Sequence, residues 1–216
     1  MRSWQMFVTV ILGATAFSAA VADEAVRRVE DTPRTTAAIR ELVRRGAVVK
    51  RFTVLESETV GLLVRLKAEH LDRDGVIDSD ILATLEPLKE LTVELRGLPL
   101  SDDGLKSLLA KVRLVGLDVS GSDISDRGLH ELASTRTRLR LLDLSFTRVS
   151  DKGLKAVASQ SELRHISLIN CRVTDSGITS LTRLTQLREI YLTKTSVSSQ
   201  AAEQLRRRLP TCRIER

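Results

Sequence analysis

Leucine-like residues recur along the chain in triplets spaced three and then two: Leu114, Leu117, Val119; Leu139, Leu142, Leu144; Leu163, Ile166, Leu168; Leu187, Ile190, Leu192. The last two positions of each triplet alternate with the residue between them. That is the period of a strand with one buried face, so each triplet predicts a short strand. A second frame is interleaved with the triplets: Leu100-Ser101-Asp102-Asp103-Gly104-Leu105, Ile124-Ser125-Asp126-Arg127-Gly128-Leu129, Val149-Ser150-Asp151-Lys152-Gly153-Leu154 and Val173-Thr174-Asp175-Ser176-Gly177-Ile178, beginning 24, 25 and 24 residues apart. Its Ser/Thr hydroxyl suits a helix N-cap, its carboxylate suits the positive end of a helix dipole, and Gly-Leu then opens a short helix. The glycines predict close approach of each helix turn to its neighbour, where a side chain would push repeats apart. A fifth, degenerate copy starts at Val197, with Ser199 in place of the acid and Ala201 and Ala202 in place of the Gly-Leu pair.

One strand and one short helix cannot bury these leucines alone, whereas stacked copies share a continuous core. The expected fold class is α/β: a right-handed solenoid with a parallel sheet on its concave face and short helices on its convex face. The run 139–149 meets the pattern Leu-x-x-Leu-x-Leu-x-x-(Asn/Cys/Thr)-x-Leu with Thr147 at the special position, and the runs 163–173, with Cys171, and 187–197, with Thr195, fit equally well. On these residues the chain resembles the leucine-rich-repeat family over roughly residues 35–216. The resemblance implies that the special position lies in the bend leaving the strand, where a small polar group satisfies backbone, so that Cys171 is structural. It also implies that Cys212 belongs to a closing strand after the last helix, and that the concave sheet holds a protein partner.

The ends of the array are expected to differ from its middle. Residues 35–45 suit an amphipathic helix with Ile39, Leu42 and Val43 on one face, ended by Gly46, and two apolar stretches follow near 47–54 and 59–66. The expected organisation is a signal peptide over 1–22, a flexible charged linker over 23–34, an N-terminal cap and first strand over 35–66, repeats over 67–199 and a C-terminal cap over 200–216. The signal reading rests on Arg2, an uncharged apolar stretch over 6–20, and Ala20-Val21-Ala22 as a small-residue cleavage site before Asp23. As a membrane anchor the stretch is short: about 15 residues reach only about 22 Å, against roughly 30 Å of hydrocarbon. A secreted or periplasmic location is therefore expected, with no stable membrane insertion once the leader is removed. The remaining aromatics would be Phe52, Phe146 and Tyr191, which leaves an aliphatic core.

Formal net charge is +6 with both signs scattered, a weak argument for any partner. Basic pairs such as Arg27-Arg28 and Arg44-Arg45 fall on caps and outer loops, and stacking aromatics are almost missing, which argues against nucleic acid. Asp72, Asp74, Gly75 and Asp78 suggest a calcium loop. With Gly75 at the sixth position, however, His70 and Ile81 occupy the places that need an aspartate and a bidentate glutamate, so a polar turn is expected instead. His70, His130 and His165 share no metal-ligand spacing with one another or with the two cysteines. Asp143, His165 and Ser167 would share one face, but an open wall offers neither a dry pocket nor oxyanion donors, so no enzyme activity and no cofactor are expected.

The residues between the triplet positions face the inner wall. The central column is Glu94, Asp118, Asp143, Ser167 and Tyr191. Before it run Thr92, Gly116, Leu141, His165 and Glu189; after it run Arg96, Ser120, Ser145, Ile169 and Thr193. Three acids in a row favour a basic partner or a cation, while Leu141, Ile169 and Tyr191, with Phe146 on the rim, suit a protein contact. The partner-binding residues expected on this open wall are Glu94, Asp118, Leu141, Asp143, Phe146, His165, Ile169 and Tyr191. The function expected is that of an exported, monomeric, non-catalytic protein-binding module. The alternatives are an inhibitor or regulator of a secreted or periplasmic enzyme, and a self-associating envelope structural protein.

Overall fold

The computed structural model describes residues 32–54, 59–135 and 137–216; the signal and linker expectations over 1–31 lie outside the described residues. Among the described residues eight strands form one sheet in chain order: β1 (Val48–Val54), β2 (Thr59–Arg65), β3 (Leu91–Glu94), β4 (Leu114–Asp118), β5 (Leu141–Asp143), β6 (His165–Ser167), β7 (Glu189–Tyr191) and β8 (Arg213–Glu215). Only β1 and β2 pair antiparallel; every later pair is parallel. Parallel neighbours need a crossover. From β3 onward it contains a short helix: α3 (Asp102–Lys111), α4 (Asp126–His130), α5 (Asp151–Val157), α6 (Asp175–Thr179) and α7 (Ser199–Arg208). The helix α2 (Ser79–Leu85) connects β2 to β3 in the same way, and α1 (Pro33–Arg44) precedes the sheet. The result is the expected right-handed solenoid, in which each coil is one strand, one bend and one short helix.

Two expectations at the amino-terminal end need correction. The helix starts at Pro33, inside the stretch assigned to a flexible linker, because Thr32 caps it by accepting from the Thr35 N–H and proline at the first helical position lacks only an N–H that would be unpaired anyway. Its buried stripe is Thr35, Ala38 and Leu42, with Ile39 packed alongside, whereas Val43 is 55% exposed. Val43 lies about 100° around the helix from Leu42 and falls off the stripe. Gly46, at φ +90°, ends the helix as expected.

The triplet residues form one continuous core: Leu91, Val93, Leu95, Leu114, Leu117, Val119, Leu139, Leu142, Leu144 and their successors are all essentially inaccessible. The chain leaves each strand through one left-handed residue at the same place in every coil: Gly97, Gly121, Phe146, Asn170 and Lys194, with φ of +68°, +71°, +59°, +57° and +60°. The N–H groups of Gly97, Gly121, Phe146 and Asn170 each donate to a carbonyl of the next coil, at Ser120, Ser145, Ile169 and Thr193, so the ladder continues through the bend. One residue later comes the special position. Ser122, Thr147 and Thr195 each donate a hydroxyl to the carbonyl three residues back at 2.6 Å, and the Cys171 thiol donates to Leu144 O at 3.0 Å. Cys171 and Cys212 are both buried free thiols.

On the convex side the acid of each Ser/Thr-Asp pair reaches into the next coil as well as standing at its own helix start. Asp102 accepts from the Ser125 N–H and hydroxyl, Asp126 from those of Ser150, Asp151 from those of Thr174, and Asp175 from those of Ser198, all between 2.6 and 2.8 Å. The glycines follow from this ladder. A Cβ at Gly128, Gly153 or Gly177 would stand 2.5, 2.6 or 2.2 Å from an Oδ1 of Asp102, Asp126 or Asp151. Where Ala201 replaces glycine in the last copy, the cap residue Ser198 has φ −75°, against −119° at Thr174, and a regular ten-residue helix follows.

Gly153→Val is expected to destabilise the protein by about 2–3 kcal/mol in urea unfolding, since the stack cannot yield without breaking the Asp126 bonds. Asp126→Ala and Ser150→Ala should each destabilise, and their double variant should cost less than the sum because the bond from the Ser150 hydroxyl to Asp126 is lost in both.

Candidate binding face

The strand register assembles the columns expected from sequence. Glu94, Asp118, Asp143, Ser167 and Tyr191 pair in succession across the sheet, and so do Thr92, Gly116, Leu141, His165 and Glu189. Both columns extend further than the triplets suggested. Arg65 of β2 precedes Glu94 and Glu215 of β8 follows Tyr191, while Leu63 and Arg213 flank the other column.

The expectation of an open wall is not met. Glu94, Asp118, Asp143, Ser167, Leu141 and Tyr191 are buried, although Leu141 and Tyr191 stand apart from the leucine core. His165 and Ile169 are half-buried, and Phe146 is exposed. The columns pack closely against one another: a Cβ on Gly116 would lie 2.5 Å from the Thr92 hydroxyl, so the Thr92 side chain fills the space that glycine leaves. The short acids are also drawn down onto the sheet. Asp118 Oδ1 accepts from the Ser120 N–H at 2.9 Å and Asp143 Oδ1 from the Ser145 N–H at 2.8 Å.

These contacts set the electrostatics of the face. Arg65 donates through Nε to Glu94 Oε2, a partner that sequence reasoning missed because the register of β2 on β3 has no repeat signature. Burial, with the Asp143 carboxylate beside it, pushes the Asp118 carboxyl up to about 7. Burial also raises Asp143, against the pull of the Ser145 hydrogen bonds and the Arg96 charge. Asp118 Oδ2, Thr92 Oγ1 and Ser120 Oγ are buried without a hydrogen-bond partner, which fits a carboxyl that holds its proton.

Asp143, His165 and Ser167 share the face, and each has its own hydrogen-bond partner there. The Ser167 hydroxyl bonds the Ser145 hydroxyl at 2.6 Å, Asp143 is engaged by the Ser145 N–H, and His165 Nδ1 lies 3.3 Å from Glu189 Oε2. Tyr191 donates its hydroxyl to the same Glu189 oxygen at 3.1 Å; burial, then the Glu189 charge, pushes the phenol up to about 12. Burial lowers His165. The Asp72 segment is a turn: Asp72 Oδ1 accepts from the N–H groups of Asp74 and Val76, and Asp78 caps α2.

An acid whose folded pKa is raised from 3.8 to about 7 contributes most to stability below pH 4, and that contribution is lost as pH rises through 7. Stability of the wild type should therefore fall from pH 5 to pH 8 by up to roughly 1.4 kcal/mol per pH unit. Asp118→Asn should flatten that slope and raise the melting temperature at pH 8; a slope equal in both proteins would contradict the assignment.

A family model described as Leucine Rich repeat matches residues 137–158. No curated protein matches. Among solved structures 54 chains match, one of them a leucine-rich-repeat protein of Leptospira interrogans, 19% identical with a TM-score of 0.40 over 65% of this chain and 34% of that one. This chain thus spans about a third of that protein's length. The matched residues 137–158 run from the lead-in of β5 through the bend and into α5, and coils of the same plan repeat on either side with one shared core and one shared ladder: the fold is that of a leucine-rich-repeat solenoid.

Proposed function

We propose that this is an exported, non-catalytic module that holds a protein partner against the carboxy-terminal half of its concave face. The carrying observation is the contrast between two side-chain sets on that face. Ile169, His165 and Glu189 retain access to solvent, while Asp118 and Asp143 lie buried beneath them. A rigid sheet that fixes such groups at strand spacing binds without ordering loops, and a partner with a basic patch suits the Glu189 carboxylate. Of the residues expected at the interface, Glu94, Asp118, Leu141, Asp143 and Tyr191 act here from beneath, setting the shape of the face. Inhibition of a secreted or periplasmic enzyme would use the same face and is one form of this reading.

Export is supported by the composition of residues 1–22, and no helix among the described residues is long and apolar enough to cross a membrane. Amino-terminal sequencing of the protein recovered outside the cytoplasm should begin at Asp23; recovery of an intact amino terminus would contradict cleavage. Crosslinked pull-down from that fraction should recover a partner with the wild type and lose it with Ile169→Asp plus His165→Glu. The His165 side chain is 14% exposed and stands 3.3 Å from Glu189, so His165→Glu adds a like charge there; a cooperative thermal transition well above the assay temperature checks that the double variant is folded. Undiminished capture by the double variant would place the contact elsewhere.

A further inference from the structure

The left-handed column on the rim carries an anomaly. Two of its five members are glycine, the residue for which φ near +70° costs nothing; Asn170 and Lys194 are polar; Phe146 is an aromatic residue held at φ +59° with 52% of its surface exposed. L-residues pay for this conformation, and a bulky one pays without return unless its side chain does something. Phe146 packs into no core cluster. Beside it the rim falls away. A Cβ on Gly97 would meet nothing within 4 Å, and one on Gly121 would meet only the Gly97 backbone, at 3.6 Å. The row Gly97, Gly121, Phe146, Asn170 is therefore a flat shelf followed by a knob, with steps of roughly 4.8 Å set by the strand spacing.

We propose that this rim is a self-association surface, occupied by a second copy of the chain. A two-fold axis lying in the interface across the row reverses the order of coils and keeps each column over itself. It seats Phe146 of each copy on Gly121 of the other, and Gly97 opposite Asn170. The exposed residues two positions further on then also match. Asp123 of one copy faces Arg148 of the other, twice, while within one chain the same pair is already joined, with Arg148 Nη2 3.6 Å from Asp123 Oδ1. Knob, shelf and charges are thus complementary to themselves under one operator, the requirement for a closed, isologous dimer. A contact confined to this rim falls in the class of small, reversible interfaces, so the dimer forms with rising concentration. It departs from the monomer expected from sequence. It leaves the concave face of each copy free, and it stands or falls independently of partner capture.

Sedimentation equilibrium of the exported chain over micromolar to millimolar concentration tests it. The weight-average mass of the wild type should climb from one chain towards two. Phe146→Gly should stay monomeric, with a dissociation constant weakened at least tenfold, while its melting temperature is unchanged or higher because the left-handed strain is relieved. Asp123→Arg and Arg148→Asp should each be monomeric alone and associate when mixed, since only the mixed pair sets opposite charges across the axis. A wild type that stays monomeric to millimolar concentration, a dimer unaffected by Phe146→Gly, or charge variants that fail to associate on mixing would each overturn the proposal.

Discussion

From α3 onward each coil is tied to the next by a carboxylate. Asp102, Asp126, Asp151 and Asp175 accept both the N–H and the hydroxyl of the following coil's cap residue. The leucine core favours burial but sets no register along the stack, since hydrophobic contact is non-directional. Charge-assisted, two-point hydrogen bonds do set it. Much else follows from this constraint. Gly128, Gly153 and Gly177, two residues after the acid, are needed because the previous coil's carboxylate occupies the space of a Cβ there. In the last copy Ser199 stands in the place of the acid, and its hydroxyl accepts from Arg216.

Holding the convex side in register also fixes the opposite face. Parallel strands with three or four paired residues each align Glu94, Asp118, Asp143, Ser167 and Tyr191, and no strand can slip to separate the acids without breaking the ladder behind it. The cost is electrostatic, and the structure meets it differently at each position: Arg65 pairs with Glu94, backbone N–H groups satisfy one oxygen each of Asp118 and Asp143, and burial favours a retained proton on Asp118. A face stiffened in this way presents its remaining accessible groups, His165, Glu189 and Ile169, in fixed relation, which is what the proposed capture of a partner requires.

The legibility of the fold in sequence was uneven for physical reasons. Repeated segments were readable because each coil repeats one solution: Leu163, Ile166 and Leu168 announce β6 as clearly as Leu139, Leu142 and Leu144 announce β5. The amino-terminal cap repeats nothing. Its helix was placed two residues late and Val43 was put on the wrong face, since a single short amphipathic turn leaves the phase of its stripe ambiguous by one position. Of the candidate site, column membership was legible and accessibility was not. Alternation tells which side of a sheet a residue faces, but it carries no information on how closely the columns of that side pack.

By itself the sequence determined the repeat, the strand and helix of each repeated coil, the helix N-caps of the repeats, and the side of the sheet on which the residues of β3 to β7 lie, because these depend on local periodicity and on the chemistry of single residues. Only the tertiary structure decided the contacts between coils: the carboxylate ladder, the pairing of Arg65 with Glu94, the burial of Asp118 and Asp143, and the left-handed setting of Phe146 beside two glycines. Each of these joins residues that adjoin only once the coils are stacked, and their distances are set by hydrogen-bond register, which no run of residues along one coil encodes.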